Sequence, residues 1–587
     1  MEPKHTLKRT KIVATLGPSS STPEAIRKLM LAGVDVFRLN FSHGTHADHA
    51  DRIRLIREIA PELGRVVGIL QDIQGPKIRI GEVKGGQVMI TPGTEFTLQS
   101  KERVADEHGA SVSYENLEQD VPVGAMVLLD DGLLELKVLE VRPDGVRTQV
   151  VVGGLLKPHK GVNFPAVKMN VAVLTEKDKE DLVFGIAQNV DFVAASFVQE
   201  AADVLMIREF LNARGSRAHV ISKIERRDAV ECIADITAVS DGIMVARGDL
   251  GVETAPEEVP LAQKRIIAHC NQVGKPVITA TQMLDSMINN PRPTRAEASD
   301  VANAVFDGTD AIMLSNETAA GNYPIEAVET MVRIALQAER AIMAKGEPSN
   351  RVLLPGFPVA DAISLATAQL ADKLGAAAII TATATGSSAR MVSRYRPHCP
   401  IIALAMEEPV CRQLALVWGV FPRVMQRASS DDELINGAMA TAQSEGLVSD
   451  GDLVVVTAGY PLGVPGNTNF IKVEMANTVL ARGMGLGKRS VYGTVRHVAN
   501  AEDANKRVQP GDIMVARETD KDYVPAMRMA GGVVVEAGGL TSHAAIVCLQ
   551  LGIPLLLEVE GWALLPDGET ITLDPVRGVV FKGKAKV

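Results

Sequence analysis

Polar side chains stand at the ends of several short apolar segments in the first half of the chain. Residues two apart on a strand project to the same face, so we expect Lys223 beside Glu225 and Arg247 beside Asp249. A single such pair favours structural ion pairing, whereas repetition at successive strand ends favours a reactive site. The full set is Arg38, Asn40, Asp72, Ser196, Lys223, Glu225, Arg247, Asp249, Thr279, Thr281, Ser315 and Glu317.

These residue types suit the chemistry of an anionic substrate. Two acids near backbone carbonyls favour a magnesium ion, which prefers oxygen ligands, keeps some waters and bridges to phosphate or carboxylate groups. A charged lysine and arginine beside the metal would stabilise a developing anion. The strand ends therefore predict a magnesium-assisted site.

Eight short β-branched segments must position these groups. Helix-length segments follow most of them, and buried strands that alternate with helices indicate a parallel sheet. Eight such units predict an α/β fold of the (β/α)8 TIM-barrel class, with its active site at the carboxyl ends of the strands. The segments begin at Lys11, Val34, Val67, Val190, His219, Gly242, Lys275 and Ala311.

The rest of the chain divides into further domains. Residues 75–171 are rich in Gly, Val and turn signals, which predicts a small β-barrel domain inserted between residues 1–74 and 172–345 of the main barrel. A linker is expected at 343–358. A second α/β domain is expected over 346–474, with the linker at its start, and a further domain over 475–587. GMGLGK, from Gly483, lacks the spacing of a phosphate loop and is interpreted as a flexible linker.

Composition excludes several classes of protein. The 587 residues are 46% hydrophobic and 22% charged, which is typical of several globular domains. The net charge of −10 argues against nucleic-acid binding. Five scattered cysteines form no C-x-x-C pair, and no signal peptide or membrane-spanning apolar run is evident. We therefore expect a cytoplasmic protein without disulfides, a zinc site or membrane contact.

Long ordered motifs identify a family. TKIVATLGPSS, FRLNFSHG, DIQGPKIR, VISKIERRDAV, GIMVARGDLG and RPTRAEASDVANAV closely resemble pyruvate kinases, and the resemblance extends over residues 1 to 474. It implies phosphoryl transfer from phosphoenolpyruvate to ADP, giving pyruvate and ATP in the last step of glycolysis, with Mg²⁺ or Mn²⁺. It also implies a lid formed by the inserted domain, an α/β effector domain with a phosphorylated allosteric effector, and a homotetramer.

The resemblance assigns roles to the motif residues. Lys223 would contact the transferring phosphoryl group and stabilise the enolate, Arg38 would hold the phosphate, and Glu225 with Asp249 would bind magnesium. A rival lyase mechanism would use Lys223 as a Schiff base, but that requires a neutral amine. The substrate carboxylate would meet Gly248, Asp249 and Thr281; Thr281 and Ser315 would protonate the enolate; the nucleotide would contact Asn40, His43, Arg79 and Lys160.

Potassium is a further family ligand. The matching residues are Asn40, Ser42, Asp72 and the carbonyl of Ile73. Members that require potassium usually carry glutamate in the GP-x-IR motif, where this chain has Lys77. A lysine ammonium could replace the cation, so we expect activity with little or no potassium.

The effector domain contains TATATGSSARMVSRYRP, which resembles the family's phosphate-binding loop. Its candidate ligands are Thr383, Thr385, Gly386, Ser387 and Ser388. The alternative is an ordinary Ser/Thr helix cap. The sequence leaves open whether the effector is a sugar phosphate or a nucleotide monophosphate.

The C-terminal segment GGLTSHAAIVCLQLGIP resembles the phosphohistidine motif in the mobile domain of pyruvate phosphate dikinase and phosphoenolpyruvate synthase. His543 occupies the position of the phosphorylated histidine. Carrier domains usually have an A-R pair that grips the phosphate, but Cys548 and Leu549 stand there. We therefore favour a structural or regulatory role for this domain, with a phosphohistidine carrier as the alternative.

Overall fold

The structure is a computed structural model that describes residues 8–165, 167, 169–345, 358–425, 431–459 and 468–585. Most of the expected linker, residues 346–357, lies outside the described residues. The described chain divides into two compact units. The first runs to Asp361 and also includes Thr383–Arg396 and Glu407–Val424; the second comprises Ala362–Ala382, Pro397–Met406 and the described residues from Met425 onward.

The first unit opens with alternating strands and helices. The Thr22 side chain accepts a hydrogen bond from the Ala25 N–H and so fixes the start of the first helix. The second helix begins with a reciprocal capping box between Thr45 and Asp48. The elements are β1 (Lys11–Thr15), α1 (Pro23–Ala32), β2 (Val36–Asn40), α2 (His46–Glu62) and β3 (Gly68–Asp72).

The predicted inserted β domain follows β3. Its strands pair as a six-stranded sheet and a separate two-stranded sheet, with isolated bridges elsewhere in the domain, so hydrogen bonds do not close it into a continuous barrel in the described residues. Its elements are a 3-10 helix (Lys84–Gly86), β4 (Val88–Ile90), β5 (Glu95–Gln99), β6 (Gly109–Ser111), α3 (Leu117–Asp120), β7 (Met126–Leu129), β8 (Leu134–Arg142), β9 (Gly145–Val152), β10 (Gly154–Leu156) and β11 (Val162–Asn163).

The chain then returns to strand–helix alternation. The elements are α4 (Glu176–Ala187), β12 (Phe192–Ala195), α5 (Ala201–Asn212), β13 (His219–Ile224), α6 (Arg227–Glu231), α7 (Ile233–Val239), β14 (Gly242–Ala246), α8 (Arg247–Glu253), α9 (Val259–Val273), β15 (Val277–Ala280), a 3-10 helix (Asp285–Ile288), α10 (Arg295–Asp307), β16 (Ala311–Leu314), α11 (Asn316–Ala319) and α12 (Pro324–Lys345).

Eight of these strands close into the predicted barrel. They pair in parallel in the order β1-β16-β15-β14-β13-β12-β3-β2. One apolar layer packs the strands against the surrounding helices, and a second includes side chains such as Val13, Leu70 and Met244. Because all eight strands run in the same direction, their carboxyl ends share one rim.

The predicted strands of the second α/β pattern are confirmed. In the second unit β17 pairs in parallel with β18 and β20, while β21 runs antiparallel to β20. The elements from here are α13 (Pro358–Leu374), β17 (Ala378–Ala382), α14 (Ser387–Arg394), β18 (Ile401–Ala405), α15 (Glu408–Leu414), β19 (Val420–Val424), α16 (Asp431–Ser444), β20 (Leu453–Gly459) and β21 (Thr468–Met475).

The C-terminal segment forms a second closed barrel, with strand order β22-β26-β25-β24-β23-β27-β28. Its elements are β22 (Val479–Leu486), β23 (Val491–His497), α17 (Ala501–Arg507), β24 (Ile513–Ala516), a 3-10 helix (Lys521–Tyr523), α18 (Val524–Met529), β25 (Gly532–Val535), α19 (His543–Leu551), β26 (Leu555–Glu560), a 3-10 helix (Trp562–Leu564), β27 (Thr570–Asp574) and β28 (Val579–Lys582).

The interpretation of GMGLGK as a flexible linker is wrong. Gly483–Leu486 belongs to β22, which pairs with β26 and β28. A Cβ on Gly485 would lie 1.7 Å from the Pro575 carbonyl oxygen, so close backbone packing requires glycine there. None of the described helices is long and apolar enough to cross a membrane.

Candidate active site

A polar cavity of about 170 Å³ opens at the rim of the first barrel. It gathers most of the residues that the strand ends and motifs single out, from β2, β3, β13 and the start of α8. Its lining is Arg38, Asn40, Ser42, His43, Asp72, Ile73, Gln74, Lys77, Arg79, Ser196, Phe197, Lys223, Glu225 and Asp249.

Lys223 lies at the centre of a dense polar cluster. Its Nζ lies 2.7 Å from Glu225 Oε1 and 3.3 Å from Asp72 Oδ1, and it donates a hydrogen bond to Ser196 Oγ at 2.8 Å. The predicted pairing of Lys223 with Glu225 is therefore confirmed. Arg38 Nε donates to Asp72 Oδ2 at 2.6 Å, so Asp72 links the two cations.

The electrostatics keep Lys223 charged. Burial lowers the pKa of the Lys223 ammonium, but Asp72 and Glu225 outweigh burial and raise it above its ordinary value. Burial likewise raises the pKa of Asp72, yet Arg38 and Lys223 together hold it below the ordinary value. Lys223 therefore acts as a fixed positive charge and not as a neutral amine, which disfavours a Schiff-base mechanism.

Glu225 is held from two sides. Its second carboxylate oxygen, Oε2, accepts a hydrogen bond from the Phe197 N–H at 2.7 Å. Phe197 has a φ of 57°, a left-handed conformation that is uncommon for a bulky residue. Burial raises the pKa of Glu225, and the negative charge of Asp249 acts in the same direction against Lys223. Two neighbouring acids of this kind provide the oxygen donors that a divalent cation prefers.

Asp249 faces a lysine that comes from the start of the insertion. Lys77 Nζ lies 3.7 Å from Asp249 Oδ1. The lysine stem also packs over Gly161, where an added Cβ would lie 3.1 Å from Lys77 Cε. Among the described residues, no group of three or more His, Cys, Asp or Glu side chains is arranged to hold a metal. The two acids would thus need substrate or water oxygens to complete a magnesium shell.

The expected pairing of Arg247 with Asp249 on one strand is wrong. β14 ends at Ala246 and α8 begins at Arg247, so the two-residue period of a strand does not apply. Arg247 Nη1 instead bonds Asp300 Oδ1 at 2.7 Å, and its Nη2 donates to the Thr281 carbonyl. Arg247 therefore braces the loop after β15.

Four predicted site residues are not part of this cavity's lining as described. The Gly248 N–H donates to Thr281 Oγ1 at 2.7 Å, and Thr281 adopts a φ of 67°. The Ser315 N–H donates to Glu317 at 2.7 Å, and Lys160 Nζ lies 2.7 Å from Asp130 in the insertion. Gly248, which directly precedes Asp249, and Thr281 are thus hydrogen-bonded to each other.

The predicted potassium ligands already have protein partners. Asn40 Oδ1 accepts from the Ser42 N–H at 3.1 Å, and the Ile73 carbonyl accepts from Ser196 Oγ at 2.7 Å. All four predicted ligands line the same cavity as Lys77. Arg79 reaches the cavity from the insertion, and its Nη1 donates to the His159 carbonyl.

Family models match three stretches of the chain. Residues 7–328 match the pyruvate kinase barrel domain, residues 361–474 the pyruvate kinase alpha/beta domain, and residues 508–578 the mobile domain of PEP-utilising enzymes. The chain belongs to the pyruvate kinase family. The predicted family, the phosphotransferase class and the added C-terminal domain are thereby confirmed.

Full-length relatives give the same result. Pyruvate kinases from Geobacillus stearothermophilus and Bacillus licheniformis are each 48% identical to this chain, and each match covers 99% of it and 100% of the relative. A solved pyruvate kinase from Cryptosporidium parvum has a TM-score of 0.74 at 38% identity, covering 80% of this chain and 97% of that one.

The loop that resembles the effector site of pyruvate kinases lies in the first unit. Gly386, with a φ of 80°, is the N-cap of α14. The helix therefore starts from a glycine in the left-handed region and not from a Ser or Thr cap. Ser388 is buried in the first turn, and Thr385 is exposed. Arg390 Nη2 donates to the Thr385 carbonyl at 2.9 Å, which fixes the turn.

His543 is the first residue of α19, after the N-cap Ser542. Its Nδ1 lies 3.1 Å from Thr519 Oγ1. The two residues that replace the carrier's A-R pair differ in exposure, because Cys548 is buried while Leu549 is 70% exposed. An apolar side chain thus projects to solvent where the pyruvate phosphate dikinase motif would place arginine.

Proposed function

We propose that this chain transfers a phosphoryl group from phosphoenolpyruvate to ADP, giving pyruvate and ATP, at the cavity around Lys223. The contact set of Lys223 with Asp72, Glu225 and Ser196 carries the proposal. These contacts hold the charged Lys223 ammonium at the point where departure of the phosphoryl group leaves an enolate. Preorganised charge is the main source of catalysis in phosphoryl transfer.

Arg38 and Lys223 act on the same phosphate from two strands. Arg38 lies on β2 and Lys223 on β13, and Asp72 on β3 contacts both. Asp72 thereby fixes the spacing of the two cations without neutralising either of them fully. Arg38 holds the transferring group, and Lys223 stabilises the charge that remains on the enolate.

Glu225 and Asp249 would hold a Mg²⁺ or Mn²⁺ ion, since both acids line the cavity and offer the carboxylate oxygens that such an ion prefers. When bound, the ion supplies neutralisation of the phosphate and carboxylate charge. The Phe197 N–H orients Glu225 for this task. The Lys77 ammonium lies beside Asp249 and supplies the positive charge that potassium would otherwise bring.

The substrate carboxylate and the protonation step belong to the rim beside Asp249. The Gly248 N–H donates to the Thr281 hydroxyl in this structure. When substrate binds, one of its carboxylate oxygens replaces the Thr281 hydroxyl as the acceptor of this N–H. The released Thr281 hydroxyl then faces the enolate and, with Ser315 and water, delivers the proton to the methylene carbon.

The nucleotide occupies the side of the cavity that faces the insertion. Asn40, His43 and Arg79 line it, and Lys160 approaches from the insertion when its pairing with Asp130 opens. Closure of the inserted lid then excludes water from the transferring phosphoryl group.

The remaining assignments extend the proposal beyond the reaction. The catalytic domain comprises residues 1–74 and 172–345, the lid 75–171, the effector domain 346–474 and the added domain 475–587. Thr383, Thr385, Gly386, Ser387 and Ser388 take the phosphate of an effector, and the enzyme is a cytoplasmic homotetramer. The added domain is structural or regulatory, because Leu549 offers no grip for a phosphate on His543.

Measurement of both products, together with a borohydride trap, tests the proposal. Purified protein with phosphoenolpyruvate, ADP and magnesium should form ATP and pyruvate in equal amounts. Borohydride with pyruvate should leave Lys223 unmodified. Absence of ATP, or a reduced pyruvyl adduct on Lys223, would contradict the proposal in favour of a barrel lyase.

A further inference from the structure

A second cavity lies at the other end of the first barrel, beside α14. Its lining includes Lys275 and Pro276, which precede β15, and Asp310, which precedes β16, so it lies at the amino ends of the strands. All its lining residues belong to the first compact unit. The lining carries more cations than carboxylates, namely Lys275, Arg390, Arg394 and Arg396 against Asp310.

Two of the arginines have carboxylate partners. Arg394 Nη1 bonds both oxygens of Asp361, at 2.8 and 2.9 Å. Arg396 Nη2 lies 3.0 Å from Asp310 Oδ1, and the other oxygen of Asp310 accepts the Val277 N–H. Both oxygens of Asp310 are therefore engaged, which reduces their repulsion of a nearby anion.

Arg390 differs from its neighbours. In the described part of the chain no carboxylate lies within 4.0 Å of its guanidinium, and Nη2 bonds only the neutral Thr385 carbonyl. Arg390 Nη1, Arg396 Nε and Arg396 Nη1 are buried and donate to no described protein atom. Buried charged donors without acceptors are unfavourable, so this cluster favours an added acceptor with negative charge.

Burial and nearby charges both act on the pKa values of the groups around the cavity. Burial lowers the pKa of both Arg390 and Arg396, while Asp241 acts against burial at Arg390 and Asp310 does so at Arg396. Burial also lowers the pKa of His219 at the start of β13, and Arg390 and Lys275 add to this effect while Asp241 opposes it. Lys275 Nζ donates to the neutral Ser240 carbonyl.

We propose that this cavity binds a small monovalent inorganic anion of the chloride class, held by Arg390 Nη1 and the free N–H groups of Arg396. The cavity has a volume of about 10 Å³, enough for an occupant close to the size of one water molecule. A phosphate ester is too large for this space. The inference rests on this cavity alone and is independent of the proposed reaction.

The anion has a structural consequence for the effector loop. Arg390 Nη2 holds the Thr385 carbonyl, and a Cβ on Gly386 would lie 2.7 Å from Arg390 Nη1. Fixing the guanidinium therefore fixes the turn that precedes α14. An ion that binds only the folded protein also raises its thermal midpoint.

Thermal unfolding in matched salts tests the proposal. Wild-type protein should have a Tm about 2–4 °C higher in sodium chloride than in sodium gluconate of equal ionic strength. Arg390→Met should lose this difference. Arg57→Met is the matched control, because Arg57 pairs with Asp191 at 2.7 Å and does not line the cavity, so it should keep the chloride effect despite a lower Tm.

Crystallography keeps the proposal testable if Arg390→Met fails to fold. Wild-type crystals soaked in sodium bromide should show an anomalous peak within hydrogen-bond distance of Arg390 Nη1. Equal wild-type Tm values in the two salts, a chloride effect that survives in Arg390→Met, or a cavity without bromide would each overturn the proposal. A bromide peak without a Tm shift means binding at crystal concentration only, which also overturns it.

Discussion

Lys77 Nζ lies 3.7 Å from Asp249 Oδ1 and so places an ammonium beside one of the two acids proposed to hold magnesium. Lys77 lies at the start of the insertion, whereas Asp249 is in the first turn of α8. The contact therefore joins the start of the lid to the catalytic rim. Lys77 stands at the position where potassium-requiring pyruvate kinases usually carry glutamate.

Potassium dependence follows from this contact. We expect wild-type turnover to change less than about twofold between zero and saturating potassium at saturating magnesium. Lys77→Glu should create a potassium requirement, because it replaces the internal cation with an acid beside Asp249. Steady-state rates in tetramethylammonium buffers, with Lys77→Gln as the neutral control, measure this. A steep potassium requirement in the wild type would refute the role given to Lys77.

Ser196 should act by positioning Lys223. Its Oγ accepts from Lys223 Nζ at 2.8 Å and donates to the Ile73 carbonyl at 2.7 Å. Ser196→Ala leaves the ammonium free to move toward Asp72, so kcat should fall about 10-fold to 100-fold while the KM for ADP stays nearly unchanged. Ser196→Thr keeps the hydroxyl and should recover part of the loss. A rise in KM for ADP with unchanged kcat would contradict the positioning role.

Acid should destabilise the protein through His49. Burial lowers the pKa of His49 to about 4, and the ring stacks on Phe41 at 4.1 Å. The histidine of the unfolded chain binds its proton near pH 6.5, whereas the folded one stays neutral until about pH 4. The free energy of unfolding therefore falls by up to about 3 kcal/mol as the pH drops from 6.5 to 4.

Denaturant unfolding as a function of pH checks this effect. His49→Gln should show a shallower loss of unfolding free energy between pH 6.5 and 4 than the wild type. His108→Gln is a suitable control, because His108 is exposed in the insertion. Equal pH slopes for wild type and His49→Gln would show that His49 does not contribute.

The sequence predicted the strands and the central ion pair but not every contact. Lys223 and Glu225 obey the two-residue period because β13 continues to Ile224. Arg247 does not, because β14 ends one residue earlier and a helix begins. The bonds of Ser196 and the left-handed φ of Phe197 depend on tertiary packing, for which neighbouring residues carry no signal.

The His543 side chain should be dispensable for turnover. His543→Ala should leave kcat within about twofold of the wild type, since Thr519 Oγ1 is its described side-chain partner and Leu549 offers no charge to a phosphate. Incubation with labelled phosphoenolpyruvate should give no acid-labile label. Label that disappears in His543→Ala would establish a phosphohistidine and contradict the structural role.

Replacement of Lys223 tests the central claim most directly. We predict that Lys223→Gln lowers kcat for ATP formation from phosphoenolpyruvate and ADP by about 10³-fold or more, because the fixed positive charge between Asp72 and Glu225 is lost. Circular dichroism confirms that the barrel still folds. A folded Lys223→Gln variant that keeps turnover within 10-fold of the wild type would contradict the claim that this ammonium stabilises the enolate.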